Sequence, residues 1–197
     1  MSDAETLKVY AEQAEEYAAL TDDVNAADPV LAAFIEALPK GGAVLDLGCG
    51  PGASAAQMAQ AGLIVEAVDP VAEMVALAGR HPGVTARQAS FDDIDAVAVY
   101  DGIWASFSLL HAPRADLPQH LAALTRALKP GGLFHIAVKT GTGETRDRLG
   151  RFYTYYTDAE LSGLLEAAGL TITARRTGSG KGLDGTDAPY IAISAHA

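Results

Sequence analysis

The chain has 197 residues, 49% of them apolar and 20% charged, so the expectation is a single domain over 1–197 with a sizeable core. Its formal net charge of -11 argues against a general nucleic-acid binder, which needs surplus Lys and Arg for phosphate contacts, though it leaves room for a local basic pocket. A lone cysteine, Cys49, rules out an internal disulfide; the acidic start lacks a signal peptide's apolar region, and no apolar run nears the roughly 18 residues of a membrane span. A cytoplasmic protein with no membrane partner is expected.

Residues 1–40 read as a helical lid over a core at 41–197. Leu7, Tyr10, Ala14 and Tyr17 fall on one face of a predicted helix over 5–20. Asp28-Pro29, a cap followed by proline at the first helical position, starts a helix ending near Leu38. The acids Asp3, Glu5, Glu12, Glu15, Glu16, Asp22, Asp23 and Asp28 read as a solvated face. After Lys40-Gly41-Gly42, strands and helices alternate: strand 43–47, helix 54–61 opened by a Ser54/Gln57 capping box, strand 63–68, helix 71–80, then strands 84–88 and 99–105. Helix 116–128 ends at Lys129-Pro130-Gly131-Gly132, before strand 133–138. A second capping box, Thr157/Glu160, opens helix 158–168, and strands 170–177 and 189–195 follow Gly169. This alternation predicts an α/β fold, a mainly parallel sheet with helices on both faces. No helix separates the final two strands, so the last is expected antiparallel.

The richest segment is Val44-Leu45-Asp46-Leu47-Gly48-Cys49-Gly50-Pro51-Gly52, a buried strand running into a glycine turn and a helix start. Such a turn suits an anionic or carboxylate-bearing nucleoside ligand, because glycine lets the ligand approach the backbone and the amides can donate to it. On its own it also satisfies the looser dinucleotide fingerprint, with Asp69 near the position of a ribose-binding acid. Asp46 inside the strand end, about 40 preceding residues, and the Lys129–Gly132 turn before a strand point elsewhere.

Asp46-Leu47-Gly48-Cys49-Gly50-Pro51-Gly52, Val68-Asp69-Pro70, Tyr100-Asp101-Gly102-Ile103 and Leu128-Lys129-Pro130-Gly131-Gly132-Leu133 together resemble class I S-adenosylmethionine-dependent methyltransferases over roughly 5–176. The resemblance implies a Rossmann-like seven-stranded sheet of order 3-2-1-4-5-7-6 with strand 7 antiparallel, and S-adenosyl-L-methionine as cofactor. It places the cofactor's methionine half against the turn at Gly48, Cys49 and Gly50, with Asp46 near the amino group. Asp69 would accept from the ribose hydroxyls, a role compatible with capping the helix that starts at Pro70. After strand three, Ala89-Ser90-Phe91-Asp92-Asp93 departs from the family's commoner acid-bearing form. There Phe91 packs either on adenine or in the core, and Ser90 or Asp92 would touch the adenine amino edge. Ser106 would lie beneath the methyl group, and His111 is either a general base or a packed histidine. Tyr10 and Tyr17 either close over the sulfonium or pack on the helix face. Trp104 reads as core, and His81, His120, His135 and His196 show no metal-ligand spacing, so no metal is expected.

Residues 139–156 hold four of the chain's 14 basic residues and three of its seven tyrosines. Arg148 or Arg151, with Tyr153, is a candidate anchor for a small anionic substrate; alternatively the arginines pair with Glu144, Asp147 or the N-terminal acids. The chemistry implied is in-line attack of a substrate O, N or S atom on the methyl. The alternatives are an NAD(P)-dependent oxidoreductase, a tRNA-modifying methyltransferase, which would need a broad basic surface, and a non-catalytic cofactor-binding module.

Overall fold

The structure, a computed structural model, describes residues 3–25 and 28–197, with the backbone only for 22–25. Asp22 and Asp23 of the expected acidic face therefore lie outside the described side chains. The expected first helix is two: α1 (Ala4–Glu12) and α2 (Ala14–Asn25), broken at Gln13, whose φ of -116° leaves the helical region. The bonds Gln13 N–H to Val9 O and Tyr17 N–H to Gln13 O carry the chain across the break. Asp3 caps α1 by accepting from the Thr6 amide, and Asp28 caps α3 (Pro29–Ala37) by accepting from Val30.

The seven-stranded sheet runs β3-β2-β1-β4-β5-β9-β8, with β1 (Ala43–Leu47), β2 (Ile64–Asp69), β3 (Val84–Gln88), β4 (Tyr100–Ser106), β5 (Leu128–Lys139), β8 (Thr171–Lys181) and β9 (Asp187–His196). The pairs among β1 to β5 are parallel, whereas β9 is antiparallel to both β5 and β8. This is the expected order, once a small hairpin is counted separately. That hairpin, β6 (Glu144–Arg146) with β7 (Phe152–Thr154), lies in what sequence reading leaves as a loop, because three-residue strands carry too little alternation to be seen.

Helices α4 (Ala53–Gln60), α5 (Ala72–Ala78), α6 (Leu117–Ala127) and α7 (Asp158–Ala167) complete the fold. One face of the sheet packs Leu45, Ile103, Phe134, Ile136 and Ile193 against Leu121, Leu161 and Leu165. Leu31 and Phe34 of α3 cover the other face at Val44, Trp104 and Leu133. Leu7, Tyr10, Ala11, Ala14, Tyr17 and Ala18 seat α1 and α2 against Val71, Met74 and Leu77. The Ser54/Gln57 capping box does not form. Gly52 is the N-cap of α4, in the left-handed region at φ 88°, and Ser54 already lies within the helix. Thr157 does cap α7 by accepting from the Glu160 amide, while the Glu160 carboxylate is taken by Arg114.

Candidate active site

A cavity of about 730 Å³ opens at the C-terminal ends of β1, β2, β4 and β5, where open α/β sheets place ligands. Its wall includes the 48–50 turn, Asp46, Asp69, Pro70, Phe91 and Ser106, Tyr10 and Tyr17, and His111, Arg151 and Tyr153. Ser90, Asp92 and Arg148 are not part of that wall. Ser90 is committed instead to a capping box in which its amide and hydroxyl both donate to Asp93, at 2.8 Å each, and Asp92 points outward, exposed. Arg148 turns aside to donate to the Asp184 carbonyl.

The turn's glycines serve different ends. A Cβ on Gly48 would sit 2.3 Å from Ser108 Cβ, so this glycine lets the ends of the first and fourth strands converge. At Gly52 a Cβ would meet Ala78 Cα at 2.7 Å, which couples the helices α4 and α5 closely. The amides of the turn are largely spent inside the fold, contrary to the expected cradle. Those of Gly48 and Cys49 both donate to Val68 O, at 2.8 and 3.0 Å, and that of Gly52 to Cys49 O at 3.0 Å. The Gly50 amide donates to Asp69 Oδ2 at 3.0 Å while the Val71 amide donates to Oδ1 at 2.9 Å. Asp69 thus ties the turn to the start of α5.

Two buried carboxylates now face one wall. Asp46 is 3% exposed, and burial, reinforced by the Asp69 charge, raises its pKa to about 7 despite the Ala55 amide. Burial likewise raises Asp69 to about 6, against the pull of its two amides. Asp46 Oδ2 has no hydrogen-bond partner among the described residues. An orphaned buried acceptor beside a second acid marks a place for a cationic donor.

At the far end, His111 Nδ1 lies 2.6 Å from the Phe152 carbonyl, which can only accept, so Nδ1 carries the proton. Nε2 then accepts from the Tyr10 hydroxyl at 3.0 Å, and Tyr10 in turn accepts from Arg151 Nη1 at 2.9 Å. Burial lowers the His111 pKa to about 4, leaving the ring neutral. Arg151, buried, donates from Nε and Nη2 to Asp147 Oδ2 at 2.9 and 2.7 Å. The pairing with Asp147 that sequence reading held as the alternative is therefore present at Arg151. Arg146 pairs with Asp3 and Glu5 of the N-terminal segment. Lys139, by contrast, has its Nζ 4.1 Å from the Tyr153 ring centroid and no ion pair among the described residues.

Sequence reasoning missed several wall residues. Phe107, in the left-handed region at φ 54°, packs edge-on to Tyr190 at 5.3 Å, and 179–183 at the β8–β9 tip also line the cavity. Trp104 and His135, stacked at 3.8 Å, reach the wall although both are only 1% exposed. Their shared row across the sheet follows from strand register, which no single strand's sequence encodes.

A family model described as a methyltransferase domain matches residues 44–132, from β1 into the first residues of β5. The chain is 35% identical over 106 residues to a dimethylglycine N-methyltransferase of Parasynechococcus marenigrum, an alignment covering 49% of this chain and 37% of that protein. Over this stretch the chain is similar to S-adenosylmethionine-dependent methyltransferases. It is also 31% identical over 128 residues to a ubiquinone biosynthesis O-methyltransferase of Xanthomonas axonopodis pv. citri, covering 60% of this chain and 53% of the relative. The chain thus spans between about a third and a little over half the length of these curated relatives. Among solved structures, a Burkholderia thailandensis 1,6-didemethyltoxoflavin-N1-methyltransferase, with bound 1,6-didemethyltoxoflavin and S-adenosylhomocysteine, superposes with a TM-score of 0.68. It is 24% identical, with 96% of this chain and 87% of that one covered, and the likeness is one of fold. The antiparallel β9 and the order of the sheet agree with the methyltransferase fold of this neighbour and not with the 3-2-1-4-5-6 order of the dinucleotide fold. Among the described residues no helix is long and apolar enough to cross a membrane, and no cluster of His, Cys, Asp and Glu could hold a metal ion.

Proposed function

We propose that this protein transfers the methyl group of S-adenosylmethionine to an O, N or S atom of a small molecule. The observation that carries the reading is the unpartnered Asp46 Oδ2, buried beside Asp69 at the end of the 730 Å³ cavity. A ligand with an ammonium group supplies the missing donor, and its positive charge offsets the two raised carboxyls. Asp69 spends one lone pair of each oxygen on Gly50 and Val71, leaving acceptor capacity for two ribose hydroxyls. Tyr10 and Tyr17, edge-on at 5.3 Å, offer aromatic surface to a sulfonium. Phe91 lines the wall near Asp69 and serves adenine packing, while Ser106 lies at the end of β4 beneath the reacting centre.

When bound, the cofactor supplies an electrophilic methyl on a sulfonium sulfur. The chain's own work is alignment and exclusion of water. The N-terminal helices act as a lid for this purpose, tied down where Thr6 Oγ accepts from the Phe152 amide at 2.7 Å, where Arg151 holds Tyr10, and where Arg146 holds Asp3. His111 is built as a neutral strut of this lid and not as a general base, since both ring nitrogens are engaged and its pKa is about 4. The acceptor therefore arrives with its nucleophilic atom already unprotonated, as in a carboxylate. Lys139, free of an ion pair among the described residues, is a better anchor for its charge than Arg148 or the Asp147-bound Arg151. With a net charge of -11, no nucleic-acid partner is expected. The test is radiolabelled methyl transfer to a panel of small carboxylates, amines and thiols. Turnover on a member supports the reading, and S-adenosylmethionine binding without turnover on any would favour a binding module.

A further inference from the structure

The charges that the sheet contributes to the cavity wall are sorted by strand. Asp46 and Asp69 stand on β1 and β2, whereas Lys139, Arg176 and Lys181 stand on β5 and β8, with β4 between the two groups. None of the three cations makes an ion pair among the described residues, in a chain whose net charge is -11. Burial holds the Lys139 ammonium below its usual pKa, and the Asp184 charge offsets only part of that cost. Asp184 itself is engaged by the Thr186 amide, which donates to its Oδ1 at 3.1 Å. Unpaired cations gathered at one end of a cavity favour an anionic ligand there.

Strand register gives this end its shape. Ser106, Ala137, Ala192 and Arg176 are register partners in a row across β4, β5, β9 and β8, and all of them line the cavity. The first three have small side chains, which leave space over the sheet between the end of β4 and Arg176. With neighbouring strands about 4.8 Å apart, the row runs about 14 Å from Ser106 to Arg176. Lys139 lies two residues beyond this row on β5, so it and Arg176 stand on either side of β9. The side wall is aromatic. Phe107 stays 39% exposed although its backbone is held at φ 54°, a region that costs a non-glycine residue energy. Its edge-on partner Tyr190 lies across Gly178, where a Cβ would sit 2.6 Å from Tyr190 Cζ. An open aromatic ring kept at a strained position marks a contact surface for another ring.

Resting on the proposed methyl transfer, we infer that the space between β4 and β8 is the acceptor site and that it takes a planar aromatic acid. The ring packs against Phe107 and Tyr190, the anionic group lies between Lys139 and Arg176, and the nucleophilic atom at the opposite end of the ring faces back towards Ser106. An arginine side chain covers part of the distance along the row, and one ring carrying a charged group covers the rest. The lone pair of the nucleophilic atom forms the bond to the methyl carbon while the carbon–sulfur pair stays with sulfur, so no proton has to be removed.

The test is calorimetry on the protein saturated with S-adenosylhomocysteine, with three probes. Terephthalate is planar and carries a carboxylate at each end; terephthalamide keeps the ring without the charge; trans-cyclohexane-1,4-dicarboxylate keeps the charge without the planar ring. Terephthalate is expected to bind at least about tenfold more tightly than either of the others, the scale of one hydrogen bond to a charged group. Arg176→Gln should weaken terephthalate about tenfold and move terephthalamide and S-adenosylhomocysteine by less than about twofold. Phe107→Leu should erase the preference for terephthalate over the cyclohexane diacid. Equal binding of terephthalate and terephthalamide overturns the inference, as does equal binding of the two diacids. So does a loaded protein that binds no terephthalate, or an Arg176→Gln variant that binds it as wild type does. Each of those results leaves the cofactor reading standing, whereas failure of the wild-type protein to bind S-adenosylhomocysteine rejects that reading and the acceptor site with it.

Discussion

Replacing Asp46 by Asn should stabilise the ligand-free protein while weakening the ligand. Burial and the Asp69 charge raise the Asp46 carboxyl from 3.8 to about 7. At about 1.4 kcal/mol per pH unit, holding this group ionised in the fold at pH 8 costs about 4 kcal/mol. The sign follows from proton counts: between pH 4 and 7 the native state binds the extra proton, so this group makes stability fall as pH rises through that window. At pH 5 its cost is only about 1.6 kcal/mol. The Asn amide keeps the shape but buries N–H groups that lack partners, which returns about 1–3 kcal/mol of the gain. The variant should therefore be about 1–3 kcal/mol more stable than wild type at pH 8, or about 3–10 °C in Tm, and no more stable at pH 5. Thermal unfolding followed by circular dichroism at both pH values measures this directly. S-Adenosylhomocysteine should raise the wild-type Tm and scarcely move that of the variant. A loss of stability at pH 8, or an equal gain at both pH values, would mean that Asp46 is not a carboxylate kept ready for a cation.

His111→Ala should lower kcat by less than about tenfold, against the 10²–10⁴ lost with a general base, and kcat should be flat from pH 6 to 8 in single-turnover assays. Any pH dependence should reside in KM for the cofactor, which improves as Asp46 and Asp69 ionise at about 7 and about 6. Asp147→Ala leaves Arg151 buried without its carboxylate and should cost about 3–5 kcal/mol in urea unfolding, while the double change Asp147→Leu with Arg151→Met costs less. Thr6→Val deprives the Phe152 amide of its acceptor and should cost about 1–3 kcal/mol, with faster hydrogen exchange along α1 than along β1.

The sheet was legible because each strand and helix carries its own periodicity and some junctions their own chemistry, as at Asp28-Pro29 and Thr157, whereas Lys129–Gly132, expected as a turn before the strand, lies within β5. Features that depend on backbone twist or distant partners were not. Ser54 looks like a cap, but Gly52 adopts the left-handed conformation and starts α4 earlier. Gln13 breaks the first helix although no glycine or proline marks it. In the site, Asp46 and Asp69 stand on the cavity wall because their strands end there, whereas Ser90 was drawn away by Asp93, two residues beyond the segment's aromatic. Arg148 faces Asp184 across 36 residues of sequence, a pairing no local pattern contains. Trp104 reads correctly as core and is also wall; its place beside Asp46 is a consequence of register alone.

In the proposed reading, the cavity at the ends of β1 and β2 takes a cationic nucleoside with an amino acid tail. Parallel calorimetric titrations of the wild-type protein with S-adenosylhomocysteine and with NAD at pH 8 test it most directly. Micromolar, single-site binding of S-adenosylhomocysteine, lost in Asp46→Asn, and no heat from NAD are expected. Saturable NAD binding, or none by S-adenosylhomocysteine, would contradict it.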